Sequence, residues 1–115
     1  MVWRKRLEGD ERRMEDIKEL SPEEVDAIKE NDNIQLIDVR EDEEVAQGMI
    51  ENSLHIPLGD IPNEYQNLDK EKEYVIICRS GRRSYNAAAF LQDQGFQVSS
   101  MSGGMLDWQG EVIIK

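Results

Sequence analysis

One cysteine, one histidine and no long hydrophobic run set the first limits on this chain of 115 residues. A lone cysteine cannot close an internal disulfide, and no spaced cluster of histidine and cysteine offers a metal site. Apolar runs of only a few residues exclude a membrane-spanning helix and resemble no signal peptide, so a reducing cytoplasm is the expected setting. Positive charge is also scarce: the formal net charge is -11, which favours solubility and argues against generic nucleic-acid binding. There is no internal repeat and no low-complexity stretch.

The length suits one domain with one core. Charge is uneven along it. Residues 1–13 hold Arg4, Lys5, Arg6, Arg12 and Arg13 against three carboxylates, so the basic residues gather at the start of an otherwise acidic chain. Residues 1–14 therefore read as a basic polar tail, with too little apolar content for a membrane arm, and residues 15–115 as a single domain.

Punctuation along the chain is clear. Ser21-Pro-Glu-Glu24 carries a cap, a proline at the first helical position and a capping-box glutamate, and predicts a helix to about Glu30. Strands are expected at Ile34–Asp38, Leu54–Ile56, Glu73–Ile77 and Phe96–Val98. Helices are expected at Glu41–Gln47, Ile61–Leu68 and Arg83–Gln94, with a short one from Ser102–Gly104 through Trp108. Val112–Ile114 is an apolar patch of no definite type. Strands alternating with helices predict an α/β domain with a mainly parallel sheet, whose ligand sites lie beyond the carboxyl ends of the strands.

Cys78 stands at such an end. It follows the β-branched run of the third strand and opens Cys78-Arg79-Ser80-Gly81-Arg82-Arg83-Ser84, just before a helix. A lone cysteine at a strand end is commonly just a small buried hydrophobe. Here Gly81 lets the backbone curl so that amides face the sulfur, and three arginines stand in a segment without an acidic residue. Cations and a helix start lower a thiol pKa and favour the nucleophilic thiolate. Such a pocket would draw a small oxyanion or sulfur-bearing anion past an acidic surface. Which of Arg79, Arg82 and Arg83 faces the pocket stays open at this level.

Four segments, in order and at the right spacing, then resemble the rhodanese-like family from about Glu19 to Trp108. Ile37-Asp-Val-Arg40 resembles its Asp-Val-Arg strand end, and Glu44-Val-Ala-Gln-Gly48 with Ile50, Ile56 and Pro57 resembles the segment that follows. Cys78–Ser84 resembles its active-site loop, and Ser102-Gly-Gly-Met-Leu-Asp-Trp108 its closing Gly-Gly-x-x-x-Trp. Met49, Asn52 and His55 depart from the usual histidine, glycine and asparagine, which touches local turn geometry rather than the loop.

The resemblance implies one rhodanese module, its central parallel sheet flanked by helices on both faces. It also implies a sulfurtransferase in which Cys78 takes sulfane sulfur from thiosulfate or a related anion, becomes a persulfide and is discharged by a thiol, cyanide-like or protein-thiol acceptor. Amides from Arg79 to Ser84 would steady the anions, an arginine would hold the donor's sulfonate, and neither cofactor nor metal is called for. Asp38 and Arg40 are expected as a structural pair beside the site, and His55, between Leu54 and Ile56, as structural rather than a proton shuttle. Trp108 and Met105 read as core or pocket-wall residues.

Two rivals stand beside this reading. A cysteine phosphatase or arsenate reductase needs five residues between cysteine and arginine, where Cys78 and Arg83 enclose four, and arsenate reduction usually needs a second thiol. A catalytically idle binding or regulatory module is the other, although such modules often lack the cysteine.

Overall fold

The structure, a computed structural model, describes residues 17–114. The expected tail at residues 1–14 lies outside the described residues.

Five parallel strands form one sheet. They are β1 (Lys18–Leu20), β2 (Ile34–Asp38), β3 (Leu54–His55), β4 (Glu73–Ile77) and β5 (Gln97–Met101), in the spatial order β1-β5-β4-β2-β3. The helices are α1 (Pro22–Ile28), α2 (Asp42–Val45), α3 (Ile61–Glu64) and α4 (Arg82–Asp93), with 3₁₀ turns at Leu58–Asp60, Tyr65–Asn67 and Gly104–Asp107. Alternation along β4 sorts the two cores. Tyr74, Ile76 and Cys78 pack with Ile61 of α3 and Ala87, Ala88 and Leu91 of α4. Val75 and Ile77 pack on the other face with Val25 of α1, Leu36 and Met101. Both faces of the sheet are thus covered, as a parallel sheet requires.

The α1 start has the capping box that its sequence promised: Ser21 Oγ accepts the Glu24 amide at 3.1 Å while Glu24 accepts the Ser21 amide at 2.8 Å. Several boundaries differ from expectation. Edge strand β1 is not predicted by the sequence, because it holds only three residues, two of them the exposed Lys18 and Glu19; pairing with β5 makes it a strand. Helix α2 stops at Val45 rather than Gln47, and the short helix or helical turn expected over 61–68 is α3 followed by a 3₁₀ turn. Strand β5 runs on to Met101, since flanking strands supply ladder partners to Ser99 and Ser100 whatever their weak β propensity.

The short helix expected from Ser102–Gly104 through Trp108 is a 3₁₀ turn over Gly104–Asp107. The apolar patch after it forms an antiparallel bridge, with the Met49 amide donating to the Ile113 carbonyl at 2.9 Å and the Ile113 amide returning the bond at 2.8 Å. Met49 is buried, and Val112 lies so close to Gly48 that a side chain there would meet it at 2.9 Å. Among the described residues no helix is long and apolar enough to cross a membrane.

Candidate active site

Cys78 follows the last residue of β4, and its side chain is wholly buried. The chain then turns through Arg79 and Ser80 to Gly81, whose φ of +103° is a left-handed conformation that side chains resist, and enters α4 at Arg82. This turn carries the Gly81 amide back over the thiol, to which it donates at 3.0 Å. Ser84, also buried, brings its hydroxyl to 3.4 Å from Cys78 Sγ.

Burial pushes the Cys78 thiol up, but the Ser84 hydroxyl and the backbone amides of Ser84, Gly81 and Ser80 outweigh it, and the thiol ends below its ordinary value. Hydrogen bonds to the charged form therefore win over desolvation. The thiolate form is favoured chiefly by a cradle of dipoles at a helix start, and the Arg83 guanidinium adds a Coulombic attraction to it.

The arginines divide. Arg83 is committed: its two terminal nitrogens each donate to Glu44 at 2.8 Å, a bidentate pair across to α2. That pairing raises the Arg83 pKa and lowers the Glu44 carboxyl to about 2. Arg79 and Arg82 are exposed, and among the described residues neither is paired. Arg79 borders a cleft of about 440 Å³ whose walls include Glu43, Met105, Leu106 and Val112. Of the three cations in the loop, Arg79 and Arg82 remain available to an incoming anion.

Asp38 and Arg40 are buried at the carboxyl end of β2. Arg40 Nε donates to Asp38 Oδ1 at 2.9 Å and a terminal nitrogen to Oδ2 at 2.8 Å, while another bond at 2.8 Å reaches the Gly48 carbonyl. The pair thus fastens the β2 end to the segment after α2, and its groups are spent on each other. His55 Nε2 lies 2.7 Å from the Arg40 carbonyl and so carries the proton it donates there.

A roof over the loop comes from the Gly103-Gly104 turn. The Met105 amide donates to the Cys78 carbonyl at 2.8 Å and the Leu106 amide to the Arg79 carbonyl at 3.0 Å. Gly104, at φ +61°, sits so close that a Cβ would lie 2.6 Å from the Cys78 carbonyl oxygen. The Cys78–Ser84 loop and the Gly-Gly turn, whose nearest ends Ser84 and Gly103 are 19 residues apart in the chain, are one backbone unit.

Comparison with known proteins agrees with this geometry. The rhodanese-like domain family matches residues 21–111. The chain belongs to that family. YtwF of Bacillus subtilis, provisionally named a sulfurtransferase, is 52% identical over 84% of this chain and 94% of its own length. The thiosulfate sulfurtransferase GlpE of Pseudomonas syringae is 33% identical over 84% of this chain and 91% of its own. Among solved structures, a rhodanese-like domain protein from Staphylococcus aureus superposes with a TM-score of 0.80 at 34% identity, covering 86% of this chain and 99% of its own. A rhodanese-related protein from Thermoplasma volcanium does so with a TM-score of 0.80 at 27% identity, over 85% and 99%. The fold is therefore the rhodanese-like parallel sheet with helices on both faces.

Sequence reasoning placed the loop but missed three of its supports. Glu44 appeared only as part of a family segment, although its position at the start of α2 is what meets Arg83. Gly104 carried a family signature without a stated task. Ser100 gave no signal, because only the pairing of β5 with β4 brings it under the loop.

Proposed function

We propose that this rhodanese-like protein is a sulfurtransferase that carries sulfane sulfur as a persulfide on Cys78. The observation that carries the reading is the Cys78 sulfur itself: buried, faced by the Gly81 amide and the Ser84 hydroxyl, and with its pKa lowered by them. In the first half-reaction the thiolate attacks the outer sulfur of thiosulfate or a related anion. A new S–S bond forms, and the donor's own S–S bond breaks with its electron pair leaving on sulfite. In the second, a cyanide-like or thiol acceptor, including one on a protein, attacks the terminal sulfur and returns Cys78 as thiolate. No proton has to move in either step when the nucleophiles are ionised, so no general base is required. Arg79 and Arg82 would hold the donor's sulfonate, and Ser80, Gly81 and Ser84 the anionic sulfur.

The occupied fork of Arg83 supports sulfur transfer over phosphatase chemistry. A phosphatase loop turns its arginine onto a tetrahedral oxyanion, whereas Arg83 is already bound at both nitrogens by Glu44. A reducing compartment suits a cycle that runs through one thiol.

Intact mass spectrometry after thiosulfate treatment tests the reading. Wild type should gain the mass of one sulfur, lose it on adding cyanide, and Cys78→Ser should gain none. A wild-type protein that takes up no sulfur from thiosulfate, polysulfide or a persulfide would leave the idle binding module as the better description.

A further inference from the structure

Ser100 lies on β5, outside the loop, yet it ends within the site. Parallel pairing with β4 sets it against Ile76, two residues before Cys78. Its hydroxyl stands 2.7 Å from Ser84 Oγ, and among the described residues that is the side chain's sole hydrogen-bond neighbour. Both serines are completely buried.

Counting protons orients the contact. Ser84 has one hydroxyl proton and three acceptors in reach: Ser100 Oγ at 2.7 Å, the Gly81 carbonyl at 3.1 Å and Cys78 Sγ at 3.4 Å. Were Ser84 to donate to Ser100, the Ser100 proton would be buried without an acceptor, at a cost of about 1–3 kcal/mol. The Cys78 sulfur would also lose its hydroxyl donor. With Ser100 donating, both protons are used, and the Ser84 proton is left to the loop. We infer that Ser100 is a positioning residue whose hydroxyl donates to Ser84 Oγ and so turns the single Ser84 proton onto the Cys78 sulfur.

The relay accommodates both states of the sulfur with every heavy atom in place. Opposite a thiolate, Ser84 donates to Sγ. Opposite a neutral thiol, the S–H donates to Ser84 Oγ and the Ser84 proton swings to the Gly81 carbonyl, while Ser100 goes on donating. Ser99 offers a contrast on the same strand. It is as buried as Ser100, but alternation points it to the opposite face, where its hydroxyl has no hydrogen-bond partner among the described residues.

The inference rests on Cys78 acting as a sulfur nucleophile, and its test is independent of any donor. Thiolate ultraviolet absorbance is titrated against pH in the intact protein, with Cys78→Ser as the blank. Ser84→Ala should reduce the Cys78 ionisation constant about three- to tenfold, as expected for losing a hydrogen bond to a charged group, and Ser100→Ala should reduce it by a smaller factor, because the Ser84 hydroxyl loses the donor that polarises it. The double variant should go no further than Ser84→Ala alone, because the two hydroxyls act in series. Ser99→Ala should leave the midpoint where it is. An unchanged midpoint in Ser100→Ala, or a double variant in which the two shifts add, would overturn the relay. If the midpoints move as stated while wild type accepts no sulfur, the relay stands and sulfur transfer is what fails.

Discussion

Glu44 accepts both terminal nitrogens of Arg83 at 2.8 Å and, through Oε1, the Glu41 amide at 2.9 Å, so one carboxylate caps α2 and pins the start of α4. The Arg83 hydrogen bonds, helped by the Glu41 amide, hold this carboxyl at about 2 against an ordinary 4.5. A carboxyl whose pKa is depressed in the folded state stabilises the protein fully above its unfolded value and loses that contribution as pH falls through the folded value. Glu44→Gln should accordingly lower stability by about 1 kcal/mol at neutral pH, the pair being partly exposed. The gap to wild type should close as pH falls from about 4.5 towards about 2. Urea unfolding of both proteins across that window checks this; a gap that stays constant with pH would mean that the ion pair contributes nothing.

At the next level, the Cys78–Ser84 loop is held by one turn of its own and one from outside it. Gly81 supplies the left-handed residue that brings an amide to the sulfur, and Gly104 supplies the close approach that lets the 3₁₀ turn bond the Cys78 and Arg79 carbonyls. An alanine at Gly104 would be strained by its positive φ and would press on the Cys78 carbonyl, so Gly104→Ala should cost about 2 kcal/mol or more and slow sulfur uptake about tenfold or more. Gly59→Ala is the matched control: a Cβ there meets nothing within 4 Å, and stability should stay within about 0.5 kcal/mol of wild type. Thermal unfolding and sulfur uptake measured on both variants distinguish a glycine that forms the site from one that merely permits a turn.

Taken whole, the molecule sets a local patch of cation, formed by Arg79 and Arg82, in a chain of net charge -11. The acidic background would steer a basic acceptor protein towards the site while repelling anions from the rest of the surface. Sulfur transfer from the Cys78 persulfide to a basic protein thiol should therefore slow as ionic strength rises, and transfer to cyanide should not slow. Stopped-flow rates between about 0.05 and 0.5 M salt test this, a range over which screening shortens from beyond about 10 Å to a few Å. A salt-independent rate to the basic acceptor would show that the acidic surface has no part in choosing it.

Much of this protein is written locally. The capping box at Ser21, the β-branched run of β4 and the glycines that end or bend elements act over a few residues, so α1, β2, β4 and α4 are legible from the chain, as are Cys78 and the extent of its loop. Contacts across the fold are not. Strand β1 exists because β5 offers it a ladder, and β5 continues through two serines because it has strands on both sides. Among the loop arginines, which one is spent depended on where α2 places Glu44, 39 residues earlier in the chain. The direction of the Ser84 proton depends on Ser100, 16 residues later and on another strand. Local patterning places a cysteine at a strand end and turns the Gly81 amide onto its sulfur; the parallel sheet, through Ser100, and the Gly-Gly turn, through the Cys78 and Arg79 carbonyls, hold that loop in place, since buried polar groups must find their partners in three dimensions.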